Sequence, residues 1–288
     1  MSIDKGRWIG LLGRGMAMGV AEVVPGVSGG TIAFVTGIYD ELVRTLAGFS
    51  AQSLNTLFRQ GPVAFWRERN LGFLLALLLG MMVSIVLFAR LLSHWLASVP
   101  TLVWGFFFGL IVLSVWQIGR AQPVRALLVF APIGVVAGLL LGQLDPLPTD
   151  QSLWVFFVGG VVAISAWMLP AVSGSFMLLV LGLYQAVIDA VTGWQWDILV
   201  SVAAGCGIGL LAFAKLLAWL LRGYRGAVLA LLTGFMAGSL PRLWPWRESG
   251  ELLSPAAYQA AGQDPMVAAT LVLACVGGVA LWLLTRLE

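Results

Sequence analysis

The chain has 288 residues, 60% of them hydrophobic and 10% charged, with 16 Lys plus Arg against 13 Asp plus Glu. A mean hydropathy of +0.97 is more than a soluble domain of this size tolerates, so the composition specifies a polytopic membrane protein. The small positive balance gives no footing for nucleic acid as a partner, and where the charges fall matters more than their sum.

In chain order, Met1 to Gly6 is too short and polar to head a cleavable signal peptide. An apolar arm then runs to Glu22 and meets Val23-Val24-Pro25-Gly26-Val27-Ser28-Gly29-Gly30-Thr31, followed by Gly37-Ile38-Tyr39. A Pro with clustered small residues stops one helix, and Ser followed by Gly caps the next, so a re-entrant helical hairpin is predicted over 6–48. Residues 50–69 are amphipathic and predicted to lie at the membrane interface. Crossings follow at Leu71 to Ala97, Leu102 to Trp116 and Val124 to Leu141. The link Gln143 to Gln151 holds Asp145, Pro146, Pro148 and Asp150 and no basic residue, and it divides the chain into 1–144 and 145–288. The second half repeats the plan, with a hairpin over 153–191 and crossings at Ile198 to Leu221, Ala227 to Leu240 and Met266 to Leu284.

The second hairpin carries Met168-Leu169-Pro170-Ala171-Val172-Ser173-Gly174-Ser175-Phe176, then Gly182-Leu183-Tyr184. Pro25 and Pro170, Ser28 and Ser173, Gly29 and Gly174, Gly37 and Gly182, and Tyr39 and Tyr184 all stand at one offset of 145. Gly80 and Phe88-Ala89-Arg90-Leu91-Leu92 match Gly205 and Phe213-Ala214-Lys215-Leu216-Leu217 at 125, and Gly105 and Gly109 match Gly234 and Gly238 at 129. The difference between 145 and 125 is the length of the interfacial stretch, which only the first half carries. The expected fold is therefore all-α, with two repeats of one re-entrant hairpin plus three transmembrane helices each. If each hairpin returns to its own side, Lys5, Arg7, Arg14, Arg44, Arg59, Arg67, Arg69, Arg120, Arg125, Arg222, Arg225 and Arg286 share one side, and Arg242 and Arg247 take the other. Twelve against two places both termini in the cytoplasm, and three crossings between the hairpins invert one repeat relative to the other.

A break at membrane depth points to function because lipid offers no partner for backbone N–H and C=O groups. Irregular backbone survives there only inside protein or along a wet cavity. Ser28, Gly29, Gly30 and Thr31, with Ser173, Gly174 and Ser175, supply amides, hydroxyls and helix starts suited to an anion such as phosphate. The plainer reading of these small residues is helix packing. Arg90 and Lys215 occupy matching places in the two halves and read as anion contacts for opposite access states, against simple snorkelling to headgroups. Glu22 ends the first arm in apolar surroundings, where it needs a proton or a partner. Its functional readings are proton coupling and an ion pair with a base such as Arg14, and its repeat counterpart is Trp167. The G-x-x-x-G pairs Gly105/Gly109 and Gly234/Gly238 read as packing, Tyr39 and Tyr184 as interfacial anchors, and Cys206 and Cys275 as packing residues. With a single His, His94, and no Cys-His or carboxylate cluster, neither a metal site nor another cofactor is expected.

The Pro-Gly-Val-Ser-Gly-Gly-Thr run with its Gly-Ile-Tyr, and the second Ser-Gly-Ser with its Gly-Leu-Tyr, resemble the polyprenyl-phosphate transporter family over nearly the whole chain. The second copy departs from the first in having Ala171 where the first has Gly26. The resemblance implies translocation of undecaprenyl phosphate, the carrier lipid of cell-wall synthesis, from the outer to the inner leaflet of the bacterial cytoplasmic membrane. Its partners would be that lipid, the surrounding membrane lipids and, in a homo-oligomer, further copies of the chain. Two other readings stand beside it. One is an enzyme like the undecaprenyl-pyrophosphate phosphatases, although both loops lack the Arg, Lys or His that phosphoryl chemistry wants. The other is a transporter of a small soluble anion.

Overall fold

The computed structural model describes residues 5–23, 28–142, 144, 152–248 and 251–285. Its helices are α1 (Lys5–Val23), α2 (Gly29–Val35), α3 (Tyr39–Ala47), α4 (Ala51–Gln60), α5 (Pro62–Glu68), α6 (Leu71–Ser98) and α7 (Pro100–Gly119). There follow α8 (Val124–Gly142), α9 (Leu153–Trp167), α10 (Gly174–Val180), α11 (Tyr184–Thr192), α12 (Trp196–Ser239), α13 (Pro255–Ala260) and α14 (Val267–Leu284). The architecture is all-α, as expected. Among the described residues the strands are one antiparallel pair, Arg247–Glu248 with Glu251–Leu252.

Leu71–Phe88, Pro100–Gly119, Val124–Leu141 and Trp196–Leu243 are long and apolar enough to cross a bilayer, and α10 with α11, bent by 112°, makes a fifth if taken as one span. The apolar helices α9 and α14 are shorter. The crossings expected at Ile198 to Leu221 and Ala227 to Leu240 lie on the single element α12. The boundary between them shrinks to Tyr224, whose φ of -134° and ψ of 34° interrupt the helix beside Gly223 and Gly226, both weak helix formers. Residues 50–69 hold α4 and α5, parted by Gly61 at a φ of 86°, and Phe58, Val63 and Trp66 are exposed.

The break expected at Pro25 lies outside the described residues, as do Val24, Gly26 and Val27, the link 145–151 and Arg286. On either side of that break the chain is helical to Val23 and again from Gly29. In the second copy Pro170 and Ala171 occupy the turn between α9 and α10. Ala171 takes a φ of 64° there, a left-handed conformation that costs a residue with a Cβ about 1–2 kcal/mol. The next stretch has the same form in both halves. A seven-residue helix (α2, α10) ends at a glycine of positive φ (Gly37 at 76°, Gly182 at 68°), and a nine-residue helix follows (α3, α11).

The chain forms two compact units, and each draws on both sequence halves: Met1–Val83 with Leu144–Arg225, and Ser84–Gln143 with Gly226–Glu288. In the first, α1 meets α6 so closely that a Cβ on Gly15 would overlap the Leu77 carbonyl, and one on Gly80 the Leu12 carbonyl. Helix α9 meets α12 in the same way, Gly160 against Val202 and Gly205 against Phe157. The four positions of one contact match those of the other at the offsets of 145 and 125. In the second unit Gly105 lies on Thr270 and Gly109 on Ala274, joining α7 to α14, while Gly234 lies on Ala131 and Gly238 on Val135, joining α12 to α8. Glycine leaves room for backbone to touch backbone, which is how helices associate where lipid removes the hydrophobic drive between them. The packing role expected of these four glycines is what they have.

Gly109→Ala should therefore lower stability by about 1–3 kcal/mol through overpacking, read as a lower melting temperature in detergent. Gly207→Ala, whose Cβ would meet nothing within 4 Å on the same kind of helix, should leave it unchanged or raise it.

Candidate functional site

The two motifs meet each other within the first unit. Ser28 holds extended backbone (φ -131°, ψ 156°) and caps α2, its Oγ accepting the Thr31 amide at 3.3 Å and lying 3.2 Å from Thr31 Oγ1. Thr31 Oγ1 also accepts the amide of Ala171 at 2.8 Å, so a hydroxyl of the first motif satisfies the strained turn of the second. The Tyr39 hydroxyl donates to the Met168 carbonyl at 2.8 Å. Gly30 is required because a Cβ there would overlap the Trp167 carbonyl. Ser28 and Thr31 are fully buried.

Glu22 completes the junction. Its Oε1 accepts the Gly29 amide at 2.6 Å and the Trp167 indole N–H at 2.5 Å. Bonds of this kind to a carboxylate are worth about 1.5–3 kcal/mol each, more than neutral ones. The partner of Glu22 is thus its own repeat counterpart, 145 residues away. The ion pair expected between Glu22 and Arg14 is not formed. Eight residues of α1 set the two about 12 Å apart along the helix axis, whereas the Gly29 amide is within direct reach. Arg14 is 6% exposed, and its Nε and Nη2 have no hydrogen-bond partner among the described residues. It lies one turn before Met18, whose side chain is 3.4 Å from where a Cβ on Gly29 would be.

The second motif is less enclosed. Ser173 makes no capping bond to α10 and instead shares a 2.7 Å hydrogen bond with Ser175, whose side chain is exposed. Gly174 packs tightly, a Cβ there falling 2.8 Å from the Ala163 carbonyl. Lys215 is exposed on α12 in the first unit, and Arg90 is exposed on α6 in the second. Tyr184 is exposed, as an anchor requires, but Tyr39 is buried against Phe34 and is a structural tie rather than an interfacial anchor. Cys275 is exposed instead of packed, and Cys206 is half-buried; neither is in a disulfide. No group of three or more His, Cys, Asp or Glu able to hold a metal occurs among the described residues. Trp167 and Tyr39 are the site residues that sequence reasoning missed, although the 145 offset already paired Trp167 with Glu22.

An all-α chain with several helices long and apolar enough to cross a bilayer, in which Thr31 and Tyr39 bond the turn around Pro170, is a multi-pass membrane protein. It belongs to the undecaprenyl phosphate translocase-like family, whose model matches residues 18–259. It is 43% identical over 238 residues to a polyprenyl-phosphate transporter of Vibrio cholerae, covering 82% of this chain and 77% of that one. It is 30% identical over 261 residues to a polyprenyl-phosphate transporter of Staphylococcus aureus, covering 83% and 87% respectively. These relatives are transporters by name and not enzymes. No solved structure matches the chain.

If Glu22 and Trp167 share one bond, the losses of stability in Glu22→Ala and Trp167→Phe should be less than additive. A double-mutant cycle on thermal unfolding in detergent should return a coupling of about 1 kcal/mol or more.

Proposed function

We propose that the protein translocates a polyprenyl monophosphate, undecaprenyl phosphate being the fitting length, from the outer to the inner leaflet of the bacterial cytoplasmic membrane. The observation that carries this reading is the 43% identity to a polyprenyl-phosphate transporter over 238 residues, beside a family match over residues 18–259 that includes both motifs. The geometry supports it. Matched contacts recur in reciprocal pairs, Gly105 on Thr270 with Gly234 on Ala131, and Gly109 on Ala274 with Gly238 on Val135. Reciprocal pairing, together with Glu22 meeting its own counterpart, is what a pseudo-two-fold axis between repeats demands. Read with the twelve-to-two split of basic residues, it favours two inverted repeats, each with one re-entrant hairpin, and both termini in the cytoplasm.

The phosphate is handled where the hairpins meet. Ser173, Gly174 and Ser175 offer the more open face. Ser28, Gly29, Gly30 and Thr31 form the closed one, and Arg14, whose Nε and Nη2 have no hydrogen-bond partner among the described residues, is the buried positive charge nearest to them along α1. Arg90 and Lys215, at matching places in the two repeats, are assigned as anion contacts for opposite access states, each on its own unit. Glu22 already holds the Gly29 amide, so an anion can take that amide only when Glu22 lets go. A proton on Glu22 would weaken its hold, which ties anion entry to proton arrival.

The test is a leaflet-resolved assay in vesicles loaded asymmetrically with polyprenyl phosphate. Arg14→Gln should slow translocation about tenfold or more, the scale of a lost charge-assisted contact. Glu22→Gln should retain some movement but lose its response to an imposed pH gradient. Unchanged rates in Arg14→Gln, in Ser173→Ala with Ser175→Ala, and in Thr31→Val would overturn the site. Hydrolysis of a pyrophosphorylated lipid by the purified protein would overturn the transport reading.

A further inference from the structure

On the face of the first unit where Arg7 meets Glu41, the carboxylates already have cationic partners. Glu41 accepts from Arg7 at 2.7 Å and from Asn70 at 2.8 Å, Asp40 is paired with Arg225, and Glu68 with Arg69. Beside them is a cavity of about 260 Å³ lined by Arg44, Ala47, Gly48, Lys215, Ala218 and Arg222, three cations and no acid. Arg44 and Arg222 each donate Nε to a carbonyl of their own helix, Asp40 at 3.0 Å and Ala218 at 3.3 Å. Those bonds steady the side chains and leave both guanidinium ends without a carboxylate among the described residues. Lys215 forms no ion pair among the described residues. Three like charges around one small cavity repel one another unless an anion enters it.

Two further observations bear on which anion. Trp219 and Tyr224 are exposed on α12 within a few residues of Lys215 and Arg222, with ring centroids 6.1 Å apart. Outward aromatic side chains at the end of an apolar helix mark headgroup depth. The pocket is also not a by-product of the repeat, because the counterparts of Arg44 and Arg222 at the same offsets are Asp189 and Ala97. We propose that Arg44, Lys215 and Arg222 form a binding site for the phosphate of a lipid headgroup, present in one half of the repeat alone. The small floor of Ala47, Gly48 and Ala218 lets the headgroup approach, and the two guanidinium forks suit phosphate oxygens. The inference rests on this geometry and does not require that the bound lipid be the one transported.

The chain has two lysines, Lys5 and Lys215, so amine acylation followed by peptide mass spectrometry reads the pocket against an internal reference. In purified protein, polyprenyl monophosphate or phosphatidylglycerol should slow acylation of Lys215 by about tenfold, with Lys5 unchanged and uncharged polyprenol without effect. Arg44→Gln with Arg222→Gln should abolish the protection while the Lys5 rate and the melting temperature hold. Protection by polyprenyl phosphate alone identifies the cargo lipid as the occupant, and equal protection by phosphatidylglycerol identifies a general headgroup site. Protection by inorganic phosphate alone, no protection by any phosphate, or protection that survives the double substitution would overturn the proposal. Thr31→Val, scored for translocation in parallel, separates a failure of this pocket from a failure of the transport reading.

Discussion

Backbone amides and carbonyls at helix ends need partners, and the structure supplies several of them by bonding one motif to the other. The Ala171 amide, exposed by the turn after Pro170, goes to Thr31 Oγ1. The Met168 carbonyl goes to Tyr39, and the Gly29 amide to Glu22, which also holds Trp167. Each motif thus supplies groups that the other lacks, and a buried amide or carbonyl left without such a partner costs free energy comparable to a lost hydrogen bond.

Much of the arrangement was legible in the sequence because it rests on features that recur. The 145 offset aligned Glu22 with Trp167, Gly37 with Gly182 and Gly15 with Gly160, and the structure gives the last two pairs matching conformations or contacts. Small residues at G-x-x-x-G spacing announced close helix contacts, because lipid-embedded helices have few other ways to associate. Partner choice was not legible. Nothing in a linear reading says that the Glu22 carboxylate turns forward to Gly29 and across to Trp167 rather than back to Arg14, because that depends on where the chain returns at α2. Nor does hydropathy distinguish two crossings from one helix interrupted at Tyr224, where a single residue leaves helical geometry inside an otherwise apolar run.

The convergence of Arg44 with Lys215 and Arg222 escaped the sequence for a related reason. Arg44 lies on a nine-residue helix after the first motif, and the other two on a long apolar helix more than 160 residues later. Periodicity can place each on a face of its own element and cannot bring the elements together. What the sequence did carry is the asymmetry, since Asp189 and Ala97 stand where a symmetric design would repeat two of the three cations.

That asymmetry marks where the two copies can differ in chemistry, since a strict repeat would present the same groups in both. Here the departures from symmetry fall on charged positions: Glu22 against Trp167, Arg44 against Asp189, Arg222 against Ala97. The first motif is closed around a carboxylate that holds the Gly29 amide, while the second keeps Ser175 exposed. Any group that took the Gly29 amide would displace Glu22, and the indole of Trp167 would then lose its acceptor as well. A carboxylate bonded at once to Gly29 of the first motif and Trp167 of the second touches both, so a change in its charge acts on both directly and needs no long-range path.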